Sequence, residues 1–163
     1  MRVINIAIAA ALVAGASYAY AQQMSSEEFV TMAASSDMFE VQTGQLAAKN
    51  SKQASVQQFA EMMVADHTKA SQELKAAAAD AKITVPTQMI DKHAAQFEKL
   101  QKAQGEAFDK AYVEAQLLAH QEALKLMQSY AQTGESRPLK AHAAKASPIV
   151  QRHLEHAEKL AGQ

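Results

Sequence analysis

The stretch Val113-Glu114-Ala115-Gln116-Leu117-Leu118-Ala119-His120-Gln121-Glu122-Ala123-Leu124-Lys125-Leu126-Met127 decides the fold. Val113, Leu117, His120, Leu124 and Met127 follow one another at steps of four, three, four and three. That spacing puts them on one face of an α-helix, whereas a half-buried strand would alternate at every second residue. With its flanks, the segment predicts a helix over about 106–132. Thr133-Gly134-Glu135-Ser136 follows as a C-cap and turn.

Working outward, the same pattern recurs on both sides. After the turn, Leu139, Ala143, Ala146, Val150, His153, Ala157 and Leu160 mark a helix over about 137–160. Pro148 lies inside it and is expected to kink or interrupt it, freeing a carbonyl about four residues upstream. Near the start, Ser25-Ser26-Glu27-Glu28 is an N-cap cluster with acids in the first turn. The helix it opens carries Phe29, Ala33, Ser36, Glu40, Thr43 and Ala47 on one face and stops near Lys49-Asn50. A further helix over about 51–82 shows Val56, Phe59, Met63, His67, Ala70 and Leu74, and is broken at Ile83-Thr84-Val85-Pro86. A shorter, more polar helix over about 88–104 ends at Gly105.

Four long amphipathic helices bury their stripes most simply against one another. The fold class is therefore all-α: a ferritin-like antiparallel four-helix bundle with an extra helix in the crossover. The 83–105 stretch is long enough to be that crossover, while the other two connections are short turns. A faint echo supports two hairpins: Val56-x-x-Phe59-Ala60 after the first turn and Leu139-x-x-His142-Ala143 after the last. A helical-repeat solenoid would need a fixed-period self-similarity that the chain lacks.

Composition agrees. With 163 residues the chain has one domain's length, and with only five Gly and three Pro it is poor in the punctuation of β-sandwiches. The absence of Cys removes disulfide scaffolds, Cys-based zinc sites, iron–sulfur clusters and thiol chemistry. A net charge of −1 gives no electrostatic reason for a nucleic-acid partner. No Ser–His–acid constellation or phosphate-cradling Gly loop points to metal-free catalysis.

The first residues read as an address. Met1-Arg2 is followed by the apolar run from Val3 to Ala16 and by the small-x-small pattern Ala19-x-Ala21. At about 14 residues the run is too short to span a bilayer, which takes about 20. The expectation is a signal peptide over 1–21, cleaved after Ala21, and a bundle domain over 22–163 exported to a periplasm. The mature form then has no transmembrane segment, and a homo-oligomer is an open question.

The chemistry lies with the histidines. His67, His120 and His153 fall on the apolar seams of three different helices, with Glu40 in the equivalent seam of the first. Buried imidazoles need both ring nitrogens satisfied, and a buried carboxylate needs a counter-charge. One transition metal ion held by His67, His120, His153 and Glu40 would meet both demands. His-dominant ligation suits Zn, Cu, Ni or Fe better than Mg or Ca. Asp37, Asp66, Glu114 and Glu122 are the neighbouring carboxylates able to accept ring N–H groups. At a rise of about 1.5 Å per residue the four ligands spread over about 13 Å along the bundle, more than one coordination sphere, with His67 and His120 the safer pair. The alternative is a metal-free core network of His, Glu, Asp and Tyr, in a bundle that acts by interaction or in stress response. His93 and His142 read as surface residues. Tyr112 and Tyr130 are expected to place their hydroxyls at the bundle edge.

Phe59-Ala60-x-x-Met63-x-x-Asp66-His67-Thr68-Lys69-Ala70, the Val85-Pro86 break, Phe108-Asp109-x-x-Tyr112, His120-x-x-Ala123 and His153-Leu154 come in a telling order. In that order they resemble a bacterial, exported, ferritin-like family of unknown function whose members are often labelled outer-membrane proteins. The resemblance implies an exported helical bundle with recurrent polar residues at Glu40, Asp66, His67, His120 and His153. It implies no established reaction, and no β-barrel pattern or lipid anchor supports the outer-membrane label. True di-iron bundles carry Glu-x-x-His on two helices. Here Val64, Leu117 and Val150 stand three residues before the three histidines, so a di-iron centre lacks most of its carboxylates.

Overall fold

The computed structural model describes residues 24–162, so the expected signal peptide lies outside the described residues. Five helices follow in order: α1 (Ser26–Asn50), α2 (Ala54–Asp80), α3 (Asp91–Lys102), α4 (Gly105–Thr133) and α5 (Arg137–Ala161). None of them is long and apolar enough to cross a membrane.

The ends of the helices obey local chemistry. Ser25 Oγ accepts a hydrogen bond from the Glu28 N–H, capping α1 as its sequence predicts. At the end of α2, Lys82 adopts φ +60°. The Ile83 N–H then reaches back to the Ala78 carbonyl and the Lys82 N–H to that of Ala79, closing the last turn without glycine. The helix α5 runs unbroken through Pro148, where a kink or interruption was expected. The carbonyl that the proline deprives of a donor belongs to Ala144, which lies on the exposed side of the helix.

Two apolar clusters reveal how the helices run. One joins Ala47, Val56, Phe59, Phe108, Tyr112 and Leu160. The other joins Phe29, Leu74, Met127, Tyr130 and Leu139. The end of α1 therefore meets the start of α2, the start of α4 and the end of α5. Neighbours within each hairpin are antiparallel, while α2 and α4 are parallel and need the long connection that carries α3. This is the expected four-helix bundle with a helix in its crossover. Close approach of α1 and α2 depends on Gly44, where a Cβ would come within 2.9 Å of the Ala60 carbonyl oxygen and of Val64 Cγ2.

The crossover helix is fastened by a side chain that the sequence reading left at the surface. His93 is buried, packs on Phe39 at 5.4 Å and shares a 2.7 Å hydrogen bond with Ser35 Oγ. Ser35 Oγ also accepts the Ile90 N–H. One hydroxyl on α1 thus holds both the start and the first turn of α3.

The inward face of α4 is also turned from its expected centre. Tyr112 and Gln116 are fully buried, whereas Leu117 and Leu124 are only partly so. Hydrophobicity pointed to the leucines, but between the two apolar clusters the bundle interior is polar. Asp37, Glu40, Thr43, His67, Gln116, His120 and His153 fill that middle tier.

Candidate metal centre

Three rods supply the imidazoles: α2 gives His67, α4 gives His120 and α5 gives His153. Their ring centroids form a nearly regular triangle, with separations of 5.7, 5.5 and 5.4 Å. One ligand nitrogen from each lies within 4.8 Å of the other two. The heights estimated from sequence spread them further. Part of the difference is that α2 starts three residues later than expected. His67 and His120 each lie eleven residues along from Val56 and Asp109, which line one common pocket, and so stand level.

Hydrogen bonds fix which nitrogen each ring offers. His67 Nδ1 donates to Asp37 Oδ1 at 2.9 Å, His120 Nδ1 to the Gln116 carbonyl at 2.9 Å, and His153 Nε2 to Asp66 Oδ2 at 2.9 Å. With one ring nitrogen donating to an oxygen in each case, the opposite nitrogens carry the lone pairs when the rings are neutral. They are His67 Nε2, His120 Nε2 and His153 Nδ1, all buried without a hydrogen-bond partner. With all three rings neutral, these nitrogens offer three lone pairs that meet no donor among the described residues. A tetrahedral ion with M–N of about 2.0–2.1 Å needs N···N of roughly 3.3 Å, so binding would draw the three rings closer together. Of the carboxylates expected to orient the rings, Asp37 and Asp66 do so. Glu122 instead pairs with Lys92 at the surface, and Glu114 lines a separate pocket.

Glu40 sits differently from the expected fourth ligand. It does not join the cluster of ligand atoms. Its Oε1 lies 3.9 Å from His120 Nδ1, the side of that ring turned away from the triangle, and its Oε2 has no partner. Gln116 bridges toward it by donating to Thr43 Oγ1 at 3.3 Å, leaving its own Oε1 unpaired. The Tyr112 hydroxyl is likewise buried and unpartnered, well inside the bundle instead of at its edge. Tyr130 does keep its hydroxyl near the edge, where it meets Ser26 Oγ at 2.7 Å.

Burial without compensation sets the protonation states. Desolvation pushes His120 down to about 3, aided by the charge of His67. It pushes His153 down to about 4, against the opposing hydrogen bond to Asp66. At His67 burial again acts downward, but the hydrogen bond to Asp37 and the charges of Glu40, Asp37 and Asp66 outweigh it, and the ring is raised. Glu40 is raised by burial to about 7 despite His67 and Gln116. The triangle therefore holds one readily protonated imidazole and two that stay neutral, with a carboxyl poised near neutrality beside it.

A groove of about 220 Å³ leads to the triangle from solvent, between α2 and α5. His67, His153, Asp37 and Asp66 are on its walls, together with Met127 and His142. His142 is buried, contrary to its reading as a surface residue. Its position next to Ala143 on the inner face of α5 puts it in the groove wall, a placement that periodicity around Leu139 alone did not reveal.

Known proteins add two likenesses. A solved structure described as CopM in the Cu(II)-bound form superposes with a TM-score of 0.72 at 14% sequence identity, covering 86% of this chain and 97% of that one. At that identity it shows the same fold. No curated protein matches the sequence. The profile of the domain of unknown function DUF4142 matches residues 11–160, nearly the whole chain, and the chain belongs to that family.

Proposed function

We propose that the protein is an exported metal-handling bundle that holds one transition metal ion on His67, His120 and His153. The observation that carries this reading is the set of three buried ring nitrogens without a hydrogen-bond partner, on imidazoles close enough together to share one ion. Leaving three such atoms empty costs free energy that a hydrogen-bonded core would not spend. Asp37 and Asp66 orient two of the rings and raise their basicity, the usual second layer of a His-ligated ion. Glu40 supplies a compensating negative charge beside His120, leaving a further coordination position for water or an exogenous ligand. The donor set favours Zn, Cu, Ni or Fe. Copper is supported further by the Cu(II)-bound state of the structural neighbour. An export role in metal handling or envelope stress protection fits the signal-peptide reading of 1–21.

The test is direct. Mature protein is freed of metal, and its melting is followed as Zn(II), Cu(II) and Ni(II) are added. A specific ion at a hundredfold excess over its dissociation constant adds about 2.7 kcal/mol. His67→Ala combined with His120→Ala should abolish the response. If the double variant still responds, the ion binds elsewhere. If the parent never responds while the variant is merely destabilised, the histidines are the metal-free core network, in a bundle that acts through protein interaction.

A further inference from the structure

Outside the triangle, the groove wall holds one more imidazole. His142 is 8% exposed and lines the groove together with Asp37, Asp66 and Met127. Here the ring opens onto the groove that leads inward to His67 and His153. Asp37 stands between: its Oδ1 accepts from His67 Nδ1, and its charge also acts on His142. The thioether of Met127 is on the same wall.

We propose that this groove is the path by which a transition metal cation reaches the triangle, and that His142, with Asp37 beside it, is the landing site where the ion is first held. The inference rests on the reading of the triangle as a metal centre. The groove wall carries three carboxylates, Asp37, Asp66 and Glu73, against three cationic side chains. Lys69, Lys145 and Arg152 at the rim are exposed, and Lys145 is neutralised by Glu73 at 2.9 Å across the mouth. Asp37 deeper in is buried, so an anion would meet a carboxylate as it advanced. Burial also lowers the affinity of His142 for a proton, so its lone pair is free to bind a metal near neutral pH. An imidazole, a carboxylate and a thioether in series offer exchangeable ligands to a borderline or soft ion such as Cu(II).

The experiment mixes metal-free protein with Cu(II) in a stopped-flow instrument and follows tyrosine emission. The chain has no Trp, and Tyr112 lies two helical turns from His120 on α4. His142→Gln should slow association at least tenfold. Because a residue on the path scales capture and release together, the equilibrium affinity of the triangle should be unchanged. His93→Gln, at a buried histidine away from the groove, should leave the rate as it is. Should His142→Gln misfold by circular dichroism, His142→Asn takes its place. Equal rates in parent and folded variant would overturn the landing site while leaving the metal centre standing. A parent that takes up no Cu(II) would overturn both.

Discussion

Glu40→Gln tests the electrostatics of the middle tier. A carboxyl held at about 7 instead of 4.5 is disfavoured as the anion by about 3 kcal/mol in the native state. The native protein keeps its full stability below the unfolded value of 4.5 and loses the difference as pH rises through about 7. Glutamine has nearly the same volume and cannot ionise. In chelator-treated protein, the variant should match the parent near pH 4.5 to within about 1 kcal/mol. Near pH 8.5 it should be the more stable, by up to about 3 kcal/mol. At roughly 2–4 °C per kcal/mol, that is a melting difference of about 6–12 °C. The figure already includes the support that ionised Glu40 draws from the charge of His67. Urea unfolding followed by circular dichroism at pH 4.5, 6.5 and 8.5 measures it. With a divalent ion bound, the order should reverse at pH 8.5, since the anion then faces a cation. A stability difference independent of pH, or a variant weaker than the parent in metal-free buffer at pH 8.5, would refute the reasoning.

Other expectations are simpler. Asp37→Asn should loosen the orientation of His67 and weaken metal affinity by about 10–100-fold, measured by competition with a chromophoric chelator. In the Glu40→Gln background, metal-free stability should fall as pH drops from 6.5 toward 4, because the unfolded chain binds protons that native His120 and His153 refuse until about 3 and 4. Two such protons give a slope approaching about 2.7 kcal/mol per pH unit in denaturant titrations. Gly44→Ala should cost about 1–3 kcal/mol, since its Cβ meets the Ala60 backbone oxygen at 2.9 Å. Lys82→Gly should raise the melting temperature slightly, relieving a left-handed residue by up to about 1 kcal/mol.

The bundle was legible because periodicity in α1, α2 and α5 comes from small and apolar residues that do face inward. Phe29, Ala33, Ser36, Glu40, Thr43 and Ala47 are all buried, as their spacing says. In α4 the same logic favoured Leu117 and Leu124 over Tyr112 and Gln116, because a stripe is sought among apolar side chains. A polar interior defeats that search: Gln116 is fully buried only because the tier around it is built of ionisable groups. His93 and His142 escaped for a related reason. Each owes its burial to segments distant in sequence, His93 to the Ser35 hydroxyl on α1 and His142 to the walls of the groove between α2 and α5. The convergence of the three imidazoles depends on where each helix begins and how far a side chain reaches, and a few residues of boundary error exceed the size of a coordination sphere.

The polar tier splits the interior into two greasy halves joined at the waist by groups that prefer water. Helical bundles ordinarily fray from their tips and hold longest at mid-span; here the waist is the soft spot of the ligand-free molecule. Backbone amides around His67, His120 and His153 should then exchange with deuterium sooner than those around Phe59 or Leu139, by opening locally while both halves stay shut. A single ion clamped at the waist would invert that ranking, turning the weakest girdle of the rod into its tightest.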